Sequence, residues 1–281
     1  MKMKKISSVL VALTLGCSMF TGCNNGDYGK YAAAYNKVTA NGGMEADIAL
    51  TLTMDGTTTK SNGTLKLDTS SGKSILYYEM DVDGDKVIQF SDGDYIYTDT
   101  DGHKIKYAIN SKPSASGDRE ETQQKDAGAS GDSDFNTEAF LSEFSSVLEA
   151  GKIKDLGLLS PIDNAAITNI SVSGDQYTLT FSDSLVKKYL NILISNESNS
   201  SSGETLVIDE LQNFTNVVTV SGDIVTGAKY SGVLKVKVPG SLMASGQEAT
   251  YDMDLIIDVT FVNPGSSVSI TLPSTDGYEN V

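Results

Sequence analysis

Tyr251-Asp252-Met253-Asp254-Leu255-Ile256-Ile257-Asp258-Val259-Thr260-Phe261 is the stretch that decides the fold. In an extended chain Tyr251, Met253, Leu255, Ile257, Val259 and Phe261 fall on one side, while Asp252, Asp254 and Asp258 fall on the other. That period of two marks a strand with one apolar face. The pattern recurs upstream. Tyr230, Leu234, Val236 and Val238 oppose Lys229, Lys235 and Lys237, and Ala46, Ile48, Leu50, Leu52 and Met54 alternate with Asp47, Ala49, Thr51 and Thr53. One apolar and one solvated face, repeated over many strands, predict an antiparallel sheet curved around a core.

Working outward, further strands are expected at 214–220 and 224–228 around Ser221-Gly222-Asp223, then through Val238, at 249–262 and at 268–272. On the N-terminal side, Asp-Gly pairs at 55–56, 83–84, 92–93 and 101–102 punctuate the segment 44–109. Asp-Gly suits the positive backbone angles of tight hairpins, so this segment reads as a β-meander. Leu76, Tyr78, Met80 and Val82 share one of its faces, as do Ile105, Tyr107 and Ile109. A hairpin is expected at 167–172 and 177–181 around Ser173-Gly174-Asp175.

Three segments carry a helical period. From Asp27, the residues Tyr31, Ala34, Tyr35 and Val38 recur at helical spacing until Asn41-Gly42-Gly43. After Asn136 as cap, with Phe135 stapling onto Phe140, a stripe of Phe140, Leu141, Phe144, Val147 and Leu148 runs to Gly151. A third helix over 183–194 presents Leu185, Val186, Tyr189, Leu190 and Leu193. Residues 110–134 contain no Val, Ile, Leu, Met, Phe, Tyr or Trp, so they have nothing to bury and are expected to form a disordered loop. Residues 196–204 form a second polar loop.

The N-terminus reads as an address. Met1-Lys2-Met3-Lys4-Lys5 is basic, residues 6–20 are uncharged, and Phe20-Thr21-Gly22 precedes Cys23, the layout of a bacterial lipoprotein signal peptide. Small Thr21 and Gly22 suit the peptidase; Phe20 departs from the usual Leu. Cys17 competes poorly, because bulky Leu15 stands where a small residue is preferred. The domains expected are a signal peptide at 1–22, a lipidated tether at 23–27 and one domain at 28–281. Cys17 and Cys23 are the only cysteines, so the mature chain would keep one thiol, and that one would carry a diacylglycerol thioether and, with it, an N-acyl chain of the palmitate type. Several acyl chains hold a protein at a membrane where one is marginal. The expected location is therefore the cell membrane, lipid-anchored and facing the extracytoplasmic side.

The net charge is −16, and loss of Lys2, Lys4 and Lys5 makes it −19. Such a surface repels phosphate backbones, which disfavours nucleic acid as a partner. The candidates for site chemistry are weak. Asp81-Val82-Asp83-Gly84-Asp85 spaces carboxylates as calcium loops do, but Lys86 and Asp92 stand where such a loop needs Gly and a bidentate Glu. His103, the sole histidine, follows Asp101-Gly102 and has no supporting motif for a triad or a zinc site. Tyr77, Tyr78, Tyr95, Tyr97 and Tyr107 serve strand packing better than sugar stacking. The chain is read as no enzyme, with neither cofactor nor metal.

A lipobox, an N-terminal helix before an antiparallel meander, a central helical segment, and the close Phe261-Val262-Asn263-Pro264-Gly265 followed by Val268-Ser269-Ile270-Thr271-Leu272-Pro273 together resemble the LolA/LppX-like lipoprotein superfamily, in particular its Gram-positive members of unassigned function. The resemblance is one of layout. It implies an α+β fold: a half-barrel antiparallel sheet with an N-terminal helix and two central helices packed on the concave face. It also implies a lipid or other hydrophobic ligand in that concavity. The apolar sheet and helix faces would then supply Leu50, Leu52, Tyr78, Met80, Phe140, Phe144, Leu190, Leu234, Val236, Leu255 and Ile257 as lining. Alternation alone fits a dry core equally well. The other reading is a non-enzymatic cell-envelope interaction module that meets a protein partner through the acidic surface or the loop at 110–134.

Overall fold

The computed structural model describes residues 26–54, 56–70, 75–82, 85–100, 102–108, 167–197, 207–240 and 247–280. Helix α1 (Gly26–Asn36) opens this part of the chain. The meander follows as β1 (Gly43–Met54), β2 (Thr57–Asp68), β3 (Ile75–Val82), β4 (Asp85–Ser91), β5 (Tyr95–Thr100) and β6 (His103–Ala108). Then come β7 (Ile167–Ser173), β8 (Gln176–Phe181), helix α2 (Asp183–Glu197), β9 (Val207–Ser221), β10 (Ile224–Val238), β11 (Ala249–Phe261) and β12 (Glu279–Asn280). All strands join one open, curved sheet in the order β12-β6-β5-β4-β3-β2-β1-β11-β10-β9-β8-β7.

The expected alternation is the sheet's register. Leu50 pairs with Ile257 and Leu52 with Leu255 across β1 and β11, and Tyr230 pairs with Ile257 across β10 and β11. Paired residues point to one face, so the apolar positions merge into one buried cluster. The other face carries cross-strand ion pairs at matching positions: Lys66 with Glu45 (2.8 Å), Lys235 with Glu210 (3.1 Å) and Lys229 with Asp258 (3.7 Å). Each of these surface pairs contributes little, about 0–1 kcal/mol. Their effect is on register, since a slip of one residue would bury them. Of the Asp-Gly pairs, the glycines at 56, 93 and 102 sit at the β1–β2, β4–β5 and β5–β6 turns with φ of 75°, 91° and 86°. The pair at 83–84 lies outside the described residues.

Four expectations need correction. The strand expected at 268–272 is not one: the segment pairs with no strand, and of the C-terminal segment only Glu279–Asn280 joins the sheet, parallel to β6. The strand expected from Phe214 begins seven residues earlier, at Val207. Its buried residues Ile208, Leu211 and Phe214 are three apart, because Asp209 and then one residue of the Asn213-Phe214 pair are extra relative to β10. Each bulge shifts the alternation by one and hides the period of two. Leu185 is exposed (42%), although helical spacing puts it on the apolar stripe of α2. Finally, the outer face is not solvated throughout, because Phe90 and Tyr97 are buried there under the C-terminal segment.

That segment crosses the outer face as a strap. Gly265 N–H donates to the Val38 carbonyl (3.0 Å), and the Asn41 side-chain amide donates to the Gly265 carbonyl. The strap then passes so close to Gly43 that a Cβ there would lie 2.8 Å from Val268 N. It ends with Tyr278, whose ring meets Tyr97 and Phe90 edge-on at 5.2 and 5.8 Å, while Phe90 and Tyr97 stack at 4.7 Å. Lys104 Nζ lies 5.3 Å from the centre of the Tyr278 ring.

Helix α1 buries Tyr31, Ala34 and Tyr35, as the spacing predicts, and Val38 is buried in the turns that follow. Tyr35 meets Phe261 edge-on at 5.8 Å. Helix α2 rests on β9 and satisfies backbone groups that the bulges release. Asn191 Nδ2 donates to the Ile208 carbonyl (2.8 Å) and its Oδ1 accepts from Ile208 N–H (2.7 Å). Lys187 donates to the Asp209 carbonyl (2.9 Å), and Phe214 N–H donates to Asp183 Oδ1 (3.2 Å). The predicted helix after Asn136 and both polar loops fall wholly or mainly outside the described residues.

Candidate functional site

The described candidate lining residues lie on the cluster face of the sheet and on α2. Leu50, Leu52, Tyr78, Met80, Leu190, Leu234, Val236, Leu255 and Ile257 are each 3% exposed or less and belong to one apolar cluster. Leu50, Leu255 and Ile257 sit at the centre of the sheet, Leu234 and Val236 on β10, and Tyr78 and Met80 on β3. Leu190 reaches the cluster from α2. Phe140, Phe144 and Cys23 lie outside the described residues.

Polar side chains enter this face at a few points. Ser91, Gln89 and Thr98 are buried on β4 and β5, where Gln89 Nε2 donates to Thr98 Oγ1 (3.3 Å) and Ser91 Oγ accepts from Gly93 N–H (3.0 Å). The Tyr78 hydroxyl donates to Met80 Sδ at 3.1 Å, and burial drives its pKa far above the ordinary tyrosine value. Asn216 on β9 is fully buried. Among the described residues it is the one buried side chain whose polar atoms, Nδ2 and Oδ1, find no hydrogen-bond partner. Alternation puts it on the same side as Phe214, Val218 and Val220, but the pattern says nothing of whether its amide finds a partner there, so sequence reasoning passed over it.

The outer face has a different character. An open hollow of about 450 Å³ lies over β1, β2, β3 and β11, lined by Asp47, Ala49, Asn62, Glu79, Asp81, Lys86 and Asp258 among others. Lys86 pairs with Glu79 at 2.5 Å, and that contact, with the Tyr77 hydroxyl, holds the Glu79 carboxyl below its usual range. Asp81, from the acidic run read against calcium, is exposed on β3. Among the described residues no three His, Cys, Asp or Glu side chains converge as metal ligands would. His103 opens β6 and is exposed. The meander tyrosines divide between the faces: Tyr78 points into the cluster, while Tyr77 and Tyr97 join Phe90 and Tyr278 outside. No described helix is long and apolar enough to cross a membrane.

At the β4–β5 turn, Asp92 is held by hydrogen bonds. Burial opposes its charge, but the N–H groups of Tyr95 (2.8 Å) and Asp94 (2.9 Å) and the Tyr97 hydroxyl (2.9 Å) outweigh that and lower its pKa. Burial, and then the bond to Asp92, push the Tyr97 hydroxyl up to about 12.

No family model matches the chain, and no curated protein matches it. Among solved structures it is similar to the Mycobacterium tuberculosis lipoprotein LppX, at 11% identity and a TM-score of 0.40, over 87% of this chain and 97% of that one. It is similar to LprF from Mycobacterium bovis at 9% identity and a TM-score of 0.35, over 90% and 100% of the two chains. A LolA superfamily protein from Nitrosomonas europaea is similar at 6% identity and a TM-score of 0.24, over 81% and 90%. These are distant likenesses of layout, and the fold stands on its own strand order and register.

Proposed function

We propose that the protein is an extracytoplasmic lipoprotein, anchored through a lipid on Cys23, that binds or carries a lipid or other hydrophobic ligand against the concave face of its sheet, without enzymatic chemistry. The observation that carries this reading is the continuity of the apolar face over an open sheet, from Ile105 on β6 through Leu50 and Leu255 to Leu179 on β8. A sheet that curves without closing keeps that face adaptable, and α1 and α2 cover it at β7, β9 and β10. Apolar lining with few polar groups is what a ligand of this class needs. The lipobox and the sequence resemblance point the same way.

The test has two arms. Cys23→Ser should release the protein from bacterial membranes into the soluble fraction. Native mass spectrometry of a chain beginning at Asn24, which retains every described residue, should find a co-purifying amphiphile. Its reproducible absence, with no mass added on exposure to envelope lipids, would sink the carrier reading. The acidic hollow on the outer face favours a second reading, an envelope interaction module with a cationic partner. Asp81→Lys with Asp258→Lys should then abolish partner capture and leave amphiphile binding intact.

A further inference from the structure

Asn216 lies at the middle of the β8–β9–β10 part of the apolar face, with Leu179 and Tyr230 as its partners on the two neighbouring strands. Phe214 and Val218 flank it along β9, and the Phe214 ring is 5.5 Å from Phe181 and 6.5 Å from Tyr230. Helix α1 packs against β10 and β7, the strands that flank β9 and β8 in the sheet. A primary amide in such surroundings is costly unless both its N–H donors and its carbonyl acceptor are satisfied. Neither atom finds a partner among the described residues. An apolar residue of similar size would fill the position without that cost, so the amide needs a reason to be there.

We propose that Asn216 is the polar contact of the ligand-binding interior, and that it selects a neutral amphiphile whose buried group both donates and accepts a hydrogen bond, such as a hydroxyl or a carboxamide. This rests on the carrier reading. The donor and acceptor of the amide call for their complements in one small group, whereas an ether or ester oxygen satisfies only Nδ2. Neutrality follows from the surroundings. Tyrosines apart, the buried polar side chains among the described residues are Thr59, Ser61, Gln89, Ser91, Thr98 and Asn216, none of them charged, so an ionised head would find no counter-charge. The ligand's polar group therefore goes inside, against the buried face of β9, and does not stay at a water-facing mouth.

The probes are 1-dodecanol, methyl dodecyl ether and dodecane, tested by calorimetric binding to the full chain carrying Cys23→Ser, which removes the lipid attachment point and touches no described residue. Wild-type Asn216 should bind the alcohol more tightly than its ether. Asn216→Leu should weaken alcohol binding about tenfold, in line with the loss of a buried hydrogen-bonded pair, and leave dodecane binding unchanged. Asn216→Ala answers the same question if the Leu side chain disturbs the fold, and the alcohol-to-ether comparison needs no variant. If alcohol, ether and dodecane change alike in the variants, or alcohol and ether bind wild type equally, Asn216 does not read the ligand and the carrier reading survives alone. If no probe binds the wild-type protein, both fail together.

Discussion

Tyr278→Ala isolates the strap from the rest of the fold. The ring is 9% exposed and meets Phe90 and Tyr97 edge-on, so truncation removes most of its buried area together with two aromatic contacts. Replacing a buried aromatic by alanine costs about 3–5 kcal/mol in a closed core. Here the cluster is a small patch on the outer face that can partly collapse, which places the loss near the lower end, about 3 kcal/mol. For a chain of this size that lowers Tm by roughly 6–12 °C. Circular dichroism on heating measures it. A second readout comes from Tyr97, whose hydroxyl is pushed up to about 12 chiefly by burial. With Tyr278 gone, tyrosinate absorbance should show that group titrating closer to the free value of about 10. The main cluster lies across the sheet, so the burial of Tyr78 should not change. A Tm within about 1 °C of wild type with Tyr97 unmoved would refute the claim that Tyr278 fastens the strap.

Gly43→Ala should destabilise by about 1–3 kcal/mol, because its methyl would sit 2.8 Å from Val268 N and lift the strap; urea unfolding checks this, and an unchanged midpoint counts against close contact there. Asn191→Ala leaves both Ile208 backbone groups unpaired and should cost about 2 kcal/mol, with faster hydrogen exchange at Ile208 N–H as the local signature. Acid stability depends on Asp92: its folded pKa is lowered, so its contribution is present above the unfolded value near 3.9 and is lost as pH falls through the lower folded value. Asp92→Asn should flatten that limb of the stability curve. Tyr97 has the opposite sign: its contribution is complete below pH of about 10 and is lost as pH rises through about 12, which alkaline unfolding of wild type against Tyr97→Phe can resolve.

The strands that were legible in the sequence are those with an uninterrupted alternation. β1 and β11 could be read directly because each pairs in one continuous register, with no residue out of phase. The early half of β9 was not legible, because two bulges put Ile208, Leu211 and Phe214 at a spacing that belongs to neither strand nor helix. Val268-Ser269-Ile270 alternates like a strand, yet no strand is beside it to pair with; its apolar residues serve a crossing over the sheet instead. The strand residues of the apolar cluster could be listed from pattern alone wherever no bulge intervenes, since inward and outward positions differ by parity. Asn216 could not, because its meaning lies in what surrounds it: the hydrogen-bond inventory of a buried residue is a property of three strands together. The lipobox is the reverse case, a short local signal read from residue types alone.

The pairing of β1 with β11 also fixes when the molecule can come into being. Ala46 meets Phe261, more than two hundred residues further along, and β12 joins β6 through Glu279 and Asn280. Until those residues arrive, the meander has a twelve-residue unpaired edge at β1 and an apolar face with no second half. Such a half-made sheet is slow to complete and prone to join another copy of itself. A truncation at residue 248 would therefore leave not a smaller protein but a sheet with an open, sticky edge at β1.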